Sequence, residues 1–196
     1  SVKSFSPPSS EWSLAWVNEK SLLFTSKPGA VAKGYLYSID PSLANPLWQK
    51  VWGGITGFTA LARSDLGQIL VGGNTPRPFT GVVTNGVLEE LPVQTFPEKC
   101  VWSNMKKSIL YCAAPNSFPD GAYPDSWYSG AVSFSDTVWK VDLASGIAEI
   151  LFAPEISAGE KIDATSLTLD NTEHYLFFLN KRDDSLWSLR LDKPTL

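Results

Sequence analysis

Three seven-residue stretches, Gly34-Tyr-Leu-Tyr-Ser-Ile-Asp40, Asp136-Thr-Val-Trp-Lys-Val-Asp142 and Asp184-Ser-Leu-Trp-Ser-Leu-Arg190, align without a gap. Each places an aromatic at its centre: Tyr37, Trp139 and Trp187. Alternation over so short a run reads as a strand, and its recurrence means that one supersecondary unit is repeated along the chain. The unit is most legible around the second copy. Cys100-Val-Trp-Ser, a polar turn at 104–107 and Ser108-Ile-Leu-Tyr-Cys form a tight hairpin. A long Pro/Gly/aromatic loop follows, then the strand at 136–142 and a further one at 146–152. Four short strands in up-and-down order make one blade of a β-propeller.

The other units follow the same plan. The first has strands at 12–17, 21–25, 34–40 and 47–52, arriving at a Gly53-Gly54 turn. The second has 58–63, 68–71, 79–84 and 87–92, with Asn85-Gly86 as a two-residue hairpin turn whose central positions favour positive φ. The fourth has 163–169, 174–179 and 184–190. Hairpin turns at Asn18, Ser64, Asn104 and Asp170 recur about 40 to 66 residues apart, a period that suits blades. Helix-period stripes are absent, so the chain reads as all-β: a β-propeller of about four four-stranded antiparallel blades, at about 11–54, 57–93, 99–153 and 162–192. The last blade has three strands, and a spare one at 1–6 precedes the first. Propellers hide their edges, which predicts that 2–5 pairs beside 186–191. Four blades form either a small closed ring or half of a larger one.

Composition narrows the partners. With 16 basic against 20 acidic residues, a net charge of −4 and no basic run, the field that holds nucleic acid is missing. No apolar run approaches the length of a membrane helix, so no membrane insertion by this segment is expected. Across the 100–112 hairpin, Val101 facing Tyr111 and Trp102 facing Leu110 would set Cys100 opposite Cys112, within reach of a disulfide. Two buried free thiols are the alternative. A disulfide would point to an oxidising, extracytoplasmic location at the cell surface or in a periplasm, with tethering by a segment absent here.

The hairpin Val101-Trp-Ser-Asn-Met-Lys-Lys-Ser-Ile-Leu-Tyr111 resembles WD40-like repeats of the TolB type, with Asn104-Met105 where that pattern has Pro-Asp. Cys100-Val-Trp-Ser, Tyr111-Cys-Ala-Ala-Pro115, Pro124-Asp-Ser-Trp-Tyr-Ser-Gly130, Val132-Ser-Phe-Ser-Asp136 and Tyr175-Leu-Phe-Phe-Leu-Asn-Lys181 are similar to uncharacterised bacterial membrane-tethered propeller proteins. The resemblance covers about half the chain and implies a propeller in which Ser1 is an internal position of a longer protein. It brings no activity with it.

In such a fold the loops between second and third strands converge on one mouth of the central channel. Here they are 26–33, 73–78, 114–131 and 180–183. The third is by far the longest, and loops of that length in compact domains are usually functional or disordered. Its Tyr123, Trp127 and Tyr128 beside Asp120 and Asp125 suit a recognition surface, with Lys33, Arg77, Lys181 and Arg182 on the same face to meet an anionic group. The bland reading is that the aromatics fold under the loop and hold it down, and that the cations are merely solvated. A surface role predicts that Trp127→Ala folds normally. Asp136, Asp163 and Asp184 read as carboxylates that tie down turns.

Chemistry is sparse. His174 stands alone at a hairpin turn, at the opposite end of its blade from the long loop, so neither a zinc set nor a Ser-His-Asp arrangement is expected. No metal and no cofactor are expected. The reading is a non-enzymatic extracytoplasmic binding module that engages a protein or glycan through its loop face, with a homodimer or missing half completing the ring. The alternative is a carbohydrate-active hydrolase or lyase with carboxylates such as Asp120 and Asp125 at the channel mouth.

Overall fold

A computed structural model of the chain describes residues 11–63, 67–74 and 77–192. It is a propeller of four antiparallel sheets, each in up-and-down order. Blade 1 is β1 (Trp12–Asn18), β2 (Ser21–Ser26), β3 (Lys33–Ile39) and β4 (Gln49–Thr56). Blade 2 is β5 (Thr59–Ala62), β6 (Ile69–Asn74), β7 (Pro78–Thr84) and β8 (Val87–Glu90). Blade 3 is β9 (Cys100–Trp102), β10 (Ile109–Pro115), β11 (Asp136–Asp142) and β12 (Ile147–Phe152). Blade 4 is β13 (Ala164–Leu169), β14 (Tyr175–Asn180) and β15 (Leu186–Arg190). The expected pairing of 2–5 beside blade 4 lies outside the described residues.

Burial follows from where each strand stands between neighbouring blades. On β10, Leu110, Cys112 and Ala114 pack into the apolar cluster shared with Leu70 and Val82 of blade 2. The alternate residues Ile109, Tyr111 and Ala113 pack with Ala164, Leu176 and Phe178 of blade 4. Successive side chains point to opposite faces, so a strand sandwiched on both sides becomes apolar throughout. β14 has one packed face only. Leu176 and Phe178 are buried towards blade 3, while Tyr175 and Leu179 are exposed. Blade 1 is its counterpart: Leu23 and Leu36 join Phe58 and Val71 in the seam with blade 2, and Leu14 and Trp16 face outward, Trp16 at 65% exposure.

The register around the cysteines is the expected one. Leu110 pairs with Trp102, Tyr111 with Val101 and Cys112 with Cys100, and the two cysteines are joined as a disulfide. Asn85 and Gly86 both have positive φ, 51° and 79°, at the β7–β8 turn. Gly53-Gly54 corrects the expectation. The pair is not a turn but lies inside β4, which runs on to Thr56. At Gly53, φ is 125° and a Cβ would stand 2.6 Å from the Gly34 carbonyl oxygen, so the residue admits a close strand crossing where the β3–β4 register shifts. The long loop is also more ordered than its composition suggested. It contains a one-turn helix, α1 (Asp125–Tyr128); a second, α2 (Pro154–Ala158), follows blade 3. No helix among the described residues is long and apolar enough to cross a membrane.

Candidate functional site

The long loop caps blades 3 and 4, and its fixing point is a buried lysine. A 3-10 turn at Pro97–Lys99 leads into β9, and its winding of about three residues per turn sends neighbouring side chains to different sides. Glu98 goes outward and is exposed. Lys99 goes inward and has no solvent exposure at all.

Two carboxylates receive it. Lys99 Nζ is 2.7 Å from Asp136 Oδ2 and 2.6 Å from Asp163 Oδ1, with all three side chains fully buried. Asp136 opens β11, and Asp163 immediately precedes β13, so the cluster bridges the two blades. Asp163 accepts further hydrogen bonds at Oδ2 from Trp127 Nε1 (3.0 Å), the Phe134 backbone N–H (3.0 Å) and Ser133 Oγ (3.2 Å). Trp127 Nε1 also reaches Oδ1, at 3.1 Å. Asp136 Oδ2 accepts from the Ala164 backbone N–H at 2.7 Å, but its Oδ1 has no hydrogen-bond partner. These bonds reach across from other elements rather than tying down local turns as expected, and they serve an ion cluster that sequence reading did not detect.

The electrostatics of the two acids diverge. Burial dominates at Asp136 and pushes its carboxyl up to about 6, against the pull of Lys99 and the Ala164 N–H. At Asp163 burial also raises, but Lys99 and the convergent donors together outweigh it, and the carboxyl is held below its ordinary value. The ammonium group is further shielded by rings: Lys99 Nζ lies 4.9 Å from the Trp127 centroid and 5.3 Å from that of Phe134.

Above the cluster the aromatic residues of the loop form their own small core. Phe96, Tyr123, Trp127 and Phe134 are buried together, with Phe118 and Val132 against them, and Phe96 stacks on Trp127 at 5.1 Å. Trp127 and Tyr123 are each only 3% exposed. The expectation of a recognition surface built on these two is therefore corrected: the indole N–H is spent on Asp163, and the Tyr123 hydroxyl donates to the Pro119 carbonyl at 2.5 Å.

The remaining expected residues divide by role. Lys181 Nζ donates to the Trp127 carbonyl at 2.7 Å. Arg182 donates through Nε (3.1 Å) and Nη2 (3.0 Å) to the Phe134 carbonyl. Both cations thus hold the cap down. Asp125 is exposed, and its Oδ2 accepts from the Ala30 N–H at 3.1 Å, linking the cap to the first blade's loop. Asp120 and Lys33 are exposed. Arg77 is exposed beside Glu90 at 3.4 Å. Tyr128 is the one cap aromatic with a large open face, at 42% exposure, and its hydroxyl donates to Glu98. Glu98 stands open on one side and crowded by protein on the others. That crowding raises its carboxyl against the bond from Tyr128, and crowding followed by the nearby Glu98 charge raises the Tyr128 phenol.

Glu98 and Lys99 carried no signal in the sequence, because neighbouring Glu and Lys in a short turn look like any solvated pair. His174 lies at the opposite hairpin turn, as expected, within 3.1 Å of Thr172 Oγ1. Its neighbour Glu173 accepts from Ser103 Oγ and from the Met105 N–H, each at 2.9 Å. A carboxylate from blade 4 therefore secures the Asn104 turn.

No protein-family model matches the chain, and no curated protein matches it either. What the structure shows is a four-blade propeller arrangement.

Proposed function

We propose that this chain is a non-enzymatic binding module whose capped loop face engages a protein or glycan outside the cytoplasm. The observation that carries the reading is the double anchoring of the cap. Lys99, Asp163 and Trp127 hold it from beneath, while Lys181 and Arg182 grip its backbone. A surface fixed in this way loses little freedom when it binds. It presents Tyr128, Glu98 and Asp125 as one aromatic and two carboxylates, the pairing of ring face and hydrogen-bond acceptors that sugars and peptides both use. The Cys100–Cys112 disulfide supports the extracytoplasmic location, since such bonds persist in oxidising compartments. The resemblance of the hairpin motifs to WD40-like repeats of the TolB type fits the blade plan.

The test is a printed glycan array probed with the wild type, Tyr128→Ala and Asp125→Ala. The expected result is a defined glycan set whose signal falls at least about tenfold in Tyr128→Ala at unchanged thermal stability. Equal binding by wild type and Tyr128→Ala would remove the cap from the account. Progressive loss of arrayed glycan would favour the hydrolase alternative, with Asp120, Asp125 and Glu98 as its carboxylates.

The exposed apolar faces of blades 1 and 4, with Leu14, Trp16, Leu179 and Leu186, support a second copy as the completing partner. These are the kind of faces that blades 2 and 3 bury against their neighbours. A dimer by light scattering is expected, and a monomer at high concentration would remove that element.

A further inference from the structure

The Lys99, Asp136 and Asp163 cluster has the layout of a reaction as well as of an ion pair. A desolvated amine touches a carboxylate, a second acid touches the same amine, and the far oxygen of the first carboxylate is ringed by donors. We propose that Lys99 and Asp163 condense spontaneously in the folded protein to an amide, an intramolecular cross-link between the entry of blade 3 and the entry of blade 4.

The atoms fall into the required roles. Lys99 Nζ is the nucleophile, 2.6 Å from Asp163 Oδ1. Asp136 Oδ2, 2.7 Å from the same nitrogen, is placed to take its proton, and an amine stripped of water and proton is a competent nucleophile. Attack at Asp163 Cγ puts negative charge on Oδ2. That oxygen already accepts from Trp127 Nε1 at 3.0 Å, the Phe134 N–H at 3.0 Å and Ser133 Oγ at 3.2 Å, a preorganised oxyanion site. Oδ1 is the leaving oxygen.

The balance closes without any co-reactant. The ammonium and the carboxylate together hold what one amide and one water need. The N–C bond forms, the Cγ–Oδ1 bond breaks, and two protons from nitrogen leave with Oδ1 as water. Asp136 relays one of them and ends as it began. Its carboxyl, held up at about 6 by burial, exchanges a proton readily near neutrality.

The surroundings favour the product. Fixed contact replaces a bimolecular encounter, and effective molarities in such geometry are large. The rings of Phe96, Trp127 and Phe134 keep out the water that would reverse the step. Condensation also erases two of the three buried charges, whose desolvation is the main cost of an ion cluster in an apolar seam. Asp136 Oδ1, without a partner, is a further sign that this site is not optimised as a static salt bridge.

The experiment is the intact mass of the folded, oxidised protein after incubation at neutral pH, followed by tryptic mapping. The expected mass is that of the disulfide-bonded sequence less one water. The map should show a branched peptide joining the segments that carry Lys99 and Asp163, with no cleavage after Lys99. Asp136→Asn keeps the size of the side chain but removes the proton relay, and should restore the full mass in a protein with native circular dichroism. Asp163→Ala should restore it as well. A wild-type protein of full mass, with its Lys99 and Asp163 peptides separate, would overturn the proposal. So would a water loss mapped to Asp120-Gly121 without a branched peptide, since an Asp-Gly pair loses water by cyclising on its own. Both wild-type readouts decide the matter even if the variants fail to fold.

Discussion

The seam between blades 1 and 2 and the seam between blades 3 and 4 join equivalent elements by different physics. In the first, Leu23, Leu36, Phe58, Val71 and Phe79 meet without a charged group, and packing is tight enough that a Cβ on Gly34 would come within 2.7 Å of Phe58. In the second, an apolar base of Ile109, Val138, Leu176 and Phe178 is topped by Lys99 and its two acids. An apolar seam holds two sheets together but tolerates small slips. A buried cation with oriented acceptors demands one geometry, although its net contribution to stability is small once desolvation is counted. The charged seam lies where the long loop needs a fixed base, and this difference connects fold to function.

Breaking the charged seam should have the largest effect. Lys99→Met leaves two buried carboxylates without a cation and is expected to lose about 3 to 5 kcal/mol in urea unfolding, with the cap released. Leu36→Ala in the apolar seam should lose a comparable amount, about 2 to 5 kcal/mol, through the cavity alone and with the cap intact. If the cap stays ordered in Lys99→Met, the contrast between the seams fails.

A smaller effect lies in the pH dependence. Asp136 is held at about 6 in the fold against an ordinary 3.8, so the folded state binds its proton more tightly than the unfolded chain. Its contribution is therefore fully present below about pH 4 and is lost as pH rises through 6, worth at most about 3 kcal/mol. As long as the cluster is uncondensed, Asp163, held low, acts in the opposite sense: its contribution is present above the ordinary carboxylate range and is lost as pH falls. Asp136→Asn should flatten the decline between about pH 4 and 6, measured as urea midpoints across that range. An unchanged slope would mean that Asp136 does not titrate there.

The smallest effect is expected at the surface. Tyr128→Phe removes only the hydroxyl bond to Glu98 on an open residue and should change stability by less than about 0.5 kcal/mol. Its value lies in the contrast with its neighbour, since Trp127→Ala should lose about 3 to 5 kcal/mol. That outcome replaces the expectation that Trp127→Ala folds normally.

The blade plan was legible because strand alternation and turn chemistry are local. The third strand of blade 3 begins and ends where the pattern placed it, at Asp136 and Asp142, and the Cys100–Cys112 register followed from counting outward from one turn. Gly53-Gly54 misled, because a glycine pair serves a strand crossing as well as a turn. The site was less legible. Trp127 and Tyr128 are adjacent and chemically alike, and only the one-turn helix that carries them decides which is inside. Lys99 was invisible for a related reason: its partners stand 37 and 64 residues further on, and no periodicity links a lone lysine to carboxylates on other strands.

The central claim is that the long loop is a fixed platform rather than a mobile flap, and amide hydrogen exchange across 122–134 tests it most directly. The amides of Trp127, Tyr128, Ser129 and Phe134 all donate to acceptors within 3.0 Å, and the account predicts that they exchange as slowly as those of β10. Exchange at the rate of an unstructured loop would contradict it, and with it the preorganised surface on which the proposed binding depends.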